Sequence, residues 1–244
     1  MKRRDFLWIV GVSAIWGIFF PRVLASQEKN RDKRWVMLVD VSVCAKNRDC
    51  EACIKACHET HNVPNVGGSK EQIKWIWFSK FEKVFETEIP PIAQKKLGSW
   101  PVILMCNHCE NPPCVKVCPT SATWKRKDGI VMMDYHRCIG CRYCMAACPY
   151  GARSFNWRDN KRYVGNVNYD FPLRNKGVVE KCNFCEERIA KGLQPKCVET
   201  CESRALKFGN LYDADSSVSK VLKERTSLVR KGYLGTNPNV FYLL

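Results

Sequence analysis

Cys138, Cys141, Cys144 and Cys148 stand at spacings of two, two and three residues, and Pro149 closes the run. Three thiolates so placed on a tight loop reach three corners of one iron–sulfur cube, while the fourth, entering a following helix, points toward a second cube. Gly140 lets the backbone pass close to such a core with no Cβ in the way. Pro149 fixes φ and offers no N–H as the chain leaves. Zinc would ask for two separated Cys-x-x-Cys knuckles around one ion, which four cysteines within eleven residues do not suit. An even cysteine count behind an export signal allows disulfides, but neighbours this close would be strained.

Three more groups share the pattern. Cys44, Cys50, Cys53 and Cys57 stretch the first spacing to five residues; Cys106, Cys109, Cys114 and Cys118 follow; Cys182, Cys185, Cys197 and Cys201 hold an eleven-residue insert. After the last cysteine of three groups an alanine recurs at one position: Ala122, Ala152 and Ala205. The repeating unit is a cysteine loop, a short helix and a strand. Glu202 and His58 stand where Pro119 and Pro149 stand in the other groups, which sets the first and last groups apart from the middle two.

The elements that must position these loops are modest. Trp35–Asp40 predicts a strand, and Pro112-Pro113 suits the first turn of a helix before Cys114. Thr123–Asp134, centred on Asp128-Gly129, predicts a hairpin. Lys74–Phe85 is aromatic and β-rich and predicts a hairpin or two short strands, its aromatics packing in a core. His58 and His61 lead into a loop over 62–68. Glu186–Lys196 begins helical and breaks at Gly192 and Pro195; Asp213–Arg230 predicts a charged helix and Asn239–Leu244 a terminal strand.

The 244 residues allow one large domain or two small ones. Sixteen cysteines make the core inorganic as much as aliphatic. The formal charge of +16 overstates the basicity, because each cube with its thiolates carries about −2 when oxidised. Basic residues are dispersed, with no nucleic-acid-binding signature around them. An acidic partner subunit or acidic headgroups fit better than nucleic acid.

Residues 1–26 read as a targeting segment: Lys2-Arg3-Arg4-Asp5-Phe6-Leu7 resembles the twin-arginine motif, an apolar run spans Leu7–Phe20, and Val23-Leu24-Ala25 offers a cleavage site. That route exports folded proteins, so clusters built in a reducing cytoplasm would travel intact. The segment is either cleaved or retained as an anchor, Arg22 snorkelling in the second case. Residues 27–34 are a polar linker and 35–244 the cluster domain.

Over essentially that whole domain the four groups, with the eleven-residue gap in the last, resemble the four-cluster [4Fe–4S] ferredoxin subunits of membrane redox complexes, the dimethyl sulfoxide and polysulfide reductase type. Segments 128–138, 150–157 and 177–185 resemble most the exported iron–sulfur subunit of the Dsr-type complex of sulfate reducers. The resemblance implies an α+β fold of two interleaved bacterial ferredoxin-like modules, with an inserted hairpin and loops and a cluster-dominated core. Module one comes from 44–57 and 182–201, module two from 106–148. It also implies ligand sets: Cys44, Cys50, Cys53 and Cys201; Cys106, Cys109, Cys114 and Cys148; Cys138, Cys141, Cys144 and Cys118; Cys182, Cys185, Cys197 and Cys57. Partners would be a polytopic quinone-binding membrane subunit, with a multihaem cytochrome c or further iron–sulfur subunits, at the extracytoplasmic face of the membrane. The subunit would relay electrons in a respiratory complex linked to sulfite or sulfate reduction; the alternative is the wire of an exported molybdopterin oxidoreductase.

Sixteen cysteines divide into four full sets, which leaves no open iron corner for a substrate. There is no Cys-x-x-Cys-His for haem, no Gly-x-Gly-x-x-Gly and no phosphate loop. An electron carrier without catalysis or a small-molecule substrate of its own is expected. His108, Arg137, Arg142 and Lys181 lie beside cysteines as candidate tuners of potential; the competing role for each is a solvated surface charge.

Overall fold

The run Trp-Val-Met-Leu-Val at residues 35–39 is apolar without alternation, and such a strand needs a partner on each edge and cover on each face. The structure, a computed structural model, describes residues 33–47, 49–67 and 71–244. The targeting segment over 1–26 and most of the linker over 27–34 lie outside the described residues.

The chain enters as β1 (Trp35–Asp40), whose Asp40 caps α1 (Val41–Cys44) by accepting from the Val43 N–H at 3.0 Å. α2 (Ala52–Thr60) buries Cys53 and Cys57. β2 (Ile76–Lys80) turns directly into α3 (Phe81–Val84), and α4 (Pro91–Leu97) precedes β3 (Pro101–Met105). Then come α5 (Pro113–Lys116), β4 (Thr123–Lys125), β5 (Val131–Met133), α6 (Tyr143–Ala146), β6 (Ser154–Phe155) and β7 (Val179–Glu180). The last stretch holds α7 (Glu186–Ile189), α8 (Lys196–Glu199), β8 (Leu206–Asn210), α9 (Ser217–Glu224), β9 (Ser227–Leu228) and β10 (Val240–Leu243). Short helices and short strands alternate in this mixed fold, with long irregular segments between them.

The one larger sheet has the order β8-β1-β10-β9. β1 runs parallel to β10, Met37 opposite Val240, and antiparallel to β8, Val36 opposite Gly209. Met37 and Val39 face the main core with Trp75, Phe81, Phe85 and Tyr242; Val36 and Leu38 face the other way, onto Val218 of α9. Both faces of β1 are thus covered. Three two-stranded sheets, β2–β3, β4–β5 and β6–β7, carry the remainder. α2 packs on α8, and α5 on α6, so the first and last cysteine groups meet, as do the middle two.

Several elements differ from the sequence reading. Lys74–Phe85 is not a hairpin: β2 pairs with β3, Phe78 opposite Ile103, and the segment then turns helical. Phe81 and Phe85 lie four apart on one face with ring centroids 4.8 Å apart, so helical spacing wins at that end. The loop after the histidines is as expected, residues 63–67 being irregular, but His58 lies within α2, and His61 just past its end is 1% exposed and stacks on Trp75 at 4.7 Å. The predicted helix over 213–230 shrinks to α9, because Ser227–Leu228 pair with β10 and tertiary pairing overrides local propensity. The hairpin at 123–134 and the terminal strand are as expected: Thr123 faces Met133, and Gly129 turns at φ +88°.

Candidate metal centres

The cysteine loops are built on left-handed backbone. His108, Gly140 and Phe184 each precede the second cysteine of a Cys-x-x-Cys, with φ of +42°, +72° and +60°. The turn curls the loop around a common centre. In the first group Ala52 at this position opens α2 instead. Ser121, Gly151 and Arg204, at φ +52°, +62° and +54°, repeat the trick three residues after a last cysteine. Each turns the next residue inward, which is why Ala122, Ala152 and Ala205 are all 1% exposed. Only one of those three turns uses glycine, so two carry a strain of about 1 kcal/mol each.

All sixteen thiols are free, and the fold gathers eight of them into two quartets and six others, all but Cys118 and Cys141, into two looser groups. Cys44, Cys50, Cys53 and Cys201 line one cavity of about 110 Å³. Cys57, Cys182, Cys185 and Cys197 line a second. Cys106, Cys109 and Cys148 pack together with Tyr150 and Ala152, and Cys114 acts electrostatically on Cys109. Cys138 and Cys144 pack with Cys114, Val131 and Val179. Cys118, Cys138 and Cys141 are only half-buried.

Burial first, and then the neighbouring thiols, push Cys53 and Cys109 up to about 12 and Cys44 to about 11. Cys57 and Cys197 rise further for the same reasons. Four buried sulfurs that repel one another's charge are a poor arrangement for thiolates alone and a good one around a cation. Donors are aimed at the sulfurs as well. The Lys196 N–H reaches Cys185 Sγ at 3.3 Å and the Phe184 N–H reaches Cys182 Sγ at 3.4 Å. At Cys118 burial opposes ionisation, yet N–H groups of Thr120, Ala122 and Thr123 with the Thr120 hydroxyl lower its pKa. The Asn107 amide, 1% exposed beside Cys106, has neither polar atom partnered among the described residues. Donor set and orphaned amide together fit iron–sulfur clusters.

The quartets follow one another. Cys53 acts electrostatically on Cys57 and Cys197, Cys106 on Cys182, and Cys114 on Cys144. Cys182 also packs with Cys106 and Cys109, and Cys114 with Cys138 and Cys144, so the regions adjoin in that order.

The four candidate tuners divide. Lys181 and His108 are buried, 1% and 0% exposed, so neither is a solvated surface charge. Lys181 Nζ donates to the Val131 and Cys182 carbonyls, the latter at 2.8 Å. His108 Nδ1 accepts from the Val131 N–H at 3.0 Å, which puts the ring proton on Nε2; burial and then Lys181 keep the ring neutral. Its ring stacks on Phe184 at 3.7 Å. Arg137 is exposed and pairs with Asp134 at 3.5 Å. Arg142 is exposed but lies over Trp157 at 4.8 Å and Phe155 at 5.4 Å.

Sequence reasoning missed Arg153. It is 5% exposed and its Nη2 donates to Cys114 Sγ at 3.1 Å and to Thr123 Oγ1 at 2.8 Å. A signal was present: Thr123, Arg153 and Leu206 occupy one position of the repeat, the residue after the buried alanine, and only one of the three is charged.

These thiol quartets on ferredoxin-like loops define an iron–sulfur protein, with four [4Fe–4S] clusters by the count of sulfurs. The sequence matches the 4Fe-4S dicluster domain family over residues 102–170 and 160–211. It is 42% identical over 269 residues, covering 99% of this chain and 97% of the other, to the Hdr-like menaquinol oxidoreductase iron-sulfur subunit 1 of Archaeoglobus fulgidus. It is 38% identical to a subunit of the selenate reductase of Mesobacillus selenatarsenatis, over 86% of this chain and 72% of that one. It is 34% identical to a subunit of the polysulfide reductase of Wolinella succinogenes, over 86% and 93%. The protein belongs to this family of iron–sulfur electron-transfer subunits of reductase complexes.

Proposed function

We propose that the chain is the internal wire of a quinone-linked respiratory complex at the extracytoplasmic face of the cytoplasmic membrane. In this reading Cys44, Cys50, Cys53 and Cys201 hold the first cube; Cys106, Cys109, Cys114 and Cys148 the second; Cys138, Cys141, Cys144 and Cys118 the third; Cys182, Cys185, Cys197 and Cys57 the fourth. Clusters bound there supply one-electron transfer. The observation that carries the reading is that Cys44, Cys50, Cys53 and Cys201 line one cavity and Cys57, Cys182, Cys185 and Cys197 another, each taking three cysteines from one group and the fourth from the other. The packing of α2 on α8 and of α5 on α6 supports two interleaved ferredoxin-like modules.

The chain's own residues hold and insulate. Loop N–H groups bind the sulfurs, buried Trp75, Phe184 and Ile130 keep water out, and the left-handed residues bring backbone close to each core.

The partners in this reading are a polytopic quinone-binding membrane subunit and a multihaem cytochrome c or further iron–sulfur subunits. The likeness to a menaquinol oxidoreductase subunit supports the quinone link, and the Dsr-like segments support a role in sulfite or sulfate reduction. The twin-arginine-like segment supports export in the folded state. Among the described residues no helix is long and apolar enough to cross a membrane, so attachment falls to partners or to residues 1–26. The second reading, the wire of an exported molybdopterin-type oxyanion or sulfur-compound reductase, is favoured by the likeness to the selenate and polysulfide reductase subunits.

Two measurements test this. Anaerobically purified protein should hold about sixteen irons, and Cys148→Ser should damage the cube of Cys106, Cys109 and Cys114; spectroscopic loss confined to the cube of Cys138, Cys141 and Cys144 would refute the pairing. Gentle extraction of native membranes should bring down a polytopic quinone-binding subunit and a multihaem cytochrome. A molybdopterin subunit instead selects the second reading, and recovery of the chain alone refutes both.

A further inference from the structure

The interior holds buried cations of two kinds. Arg174, 4% exposed, is conventional: its Nη2 lies 2.7 Å from Glu180, itself fully buried, so its charge is matched inside the protein. Arg153 and Lys181 are buried as deeply, and among the described residues no carboxylate pairs with either. Arg153 donates to Cys114 Sγ, Thr123 Oγ1 and Met133 Sδ, and Lys181 to two carbonyls. An unmatched buried charge costs several kcal/mol, and a guanidinium does not escape by losing its proton. For Arg153 the missing negative charge must therefore be supplied by what the cysteines bind; Lys181, an amine that burial alone would discharge, needs the same charge to stay protonated.

Their positions say which cysteines. Arg153 hydrogen-bonds Cys114 of the second quartet and acts electrostatically on Cys144 of the third. Lys181 bonds the Cys182 carbonyl in the fourth, and its charged neighbours include Cys106 and Cys114 of the second. Each cation thus stands at a junction between two quartets, and the second quartet is flanked by both. Cys44 in the first quartet faces Asp40 instead.

We propose that Arg153 and Lys181 are fixed counter-charges at two junctions of the wire, Arg153 raising the reduction potentials of the second and third cubes and Lys181 those of the second and fourth. This rests on the ligand sets given above. Each cube accepts one electron from its neighbour in the file, or from dithionite in a titration, and its charge with its four thiolates goes from about −2 to about −3. A fixed positive charge nearby favours the reduced form, and low-dielectric surroundings enlarge the effect. One cation at a junction lifts both neighbours together, which keeps the step between them small.

The test is a redox titration of the full chain followed by electron paramagnetic resonance. In Arg153→Met two of the four midpoints should fall, each by at least tenfold in the reduced-to-oxidised ratio, about 59 mV for one electron. In Lys181→Met two should fall, and only one midpoint should respond to both substitutions. Arg153→Lys, which keeps the charge, should stay near the parent values. Four unchanged midpoints in fully loaded Arg153→Met, or a uniform shift of all four, would overturn the proposal. Should Arg153→Met load incompletely, Lys181→Met decides alone: a shift in two midpoints supports the proposal, and any other pattern overturns it. A parent protein with fewer than four cubes would instead break the ligand reading beneath it.

Discussion

Gly140 and Gly177 pack backbone against backbone: a Cβ on Gly140 would run into the Gly177 carbonyl oxygen and lie 3.2 Å from the Phe155 ring. The third cysteine loop is thereby seated on the strand pair β6–β7 that leads into Lys181 and Cys182. Gly140 also holds φ at +72°.

Gly140→Ala should therefore cost about 2–4 kcal/mol, strain and overpacking together. The cube of Cys138, Cys141 and Cys144 should be the first to go. Thermal melts with iron analysis check this; Gly151→Ala, with open space around the new Cβ, should cost about 1 kcal/mol and leave iron content intact.

Glu180 is the hub of a buried network. It accepts from Arg174 at 2.7 Å, from Trp75 Nε1 at 2.8 Å and from Asn156 at 2.6 Å, while Arg174 also donates to the carbonyls of His61, Asn62 and Pro172. Glu180→Ala leaves a buried guanidinium unmatched and should cost about 3–5 kcal/mol. Denaturant unfolding would show it, with the double variant Glu180→Ala/Arg174→Met recovering part of the loss.

Asp40 gives a pH prediction. Burial pushes its pKa up, but hydrogen bonds from Arg225, Ser42 and the Val43 N–H outweigh that and hold it below the ordinary 3.8. Its carboxylate thus contributes stability above the unfolded value, lost as pH falls through the folded one. In anaerobic denaturation Asp40→Asn should be less stable than the parent by a margin that is constant between about pH 8 and 5 and narrows only below about pH 4. A margin that changes near neutrality would contradict this.

Iron removal should unfold much of the interior. Nine of the sixteen cysteines are buried, and the core they line has thiol quartets where another protein has aliphatic packing. Oxidative chelation should abolish near-ultraviolet circular dichroism and open the chain to trypsin. An iron-free chain with native dichroism would show that the aliphatic core stands by itself.

What the sequence revealed was whatever is local. Cysteine spacing, the alanine repeat and the hairpin at Gly129 are short-range signals, and each has a short-range cause. The left-handed turns at Ser121 and Arg204 were hidden because neither is glycine. Arg153 was hidden because it meets Cys114 across 39 positions of sequence, and Lys181 and His108 looked like surface charges because nothing beside them announces burial. The aromatics from Trp75 to Phe85 suit strand and helix alike; only pairing with Pro101–Met105 and packing on Tyr242 decides where one gives way to the other.

The central strand Trp35–Asp40 is among the first parts of the domain to leave the ribosome, yet its two partners come only at residues 206–210 and 240–243. The middle groups, whose helices α5 and α6 pack on each other, are by then complete. Cys44, Cys50 and Cys53 meet Cys201, with which they line one cavity, only after both middle cysteine groups have been made. The sheet around Trp35–Asp40 is thus closed by Val240–Leu243, the last strand of the chain to be made.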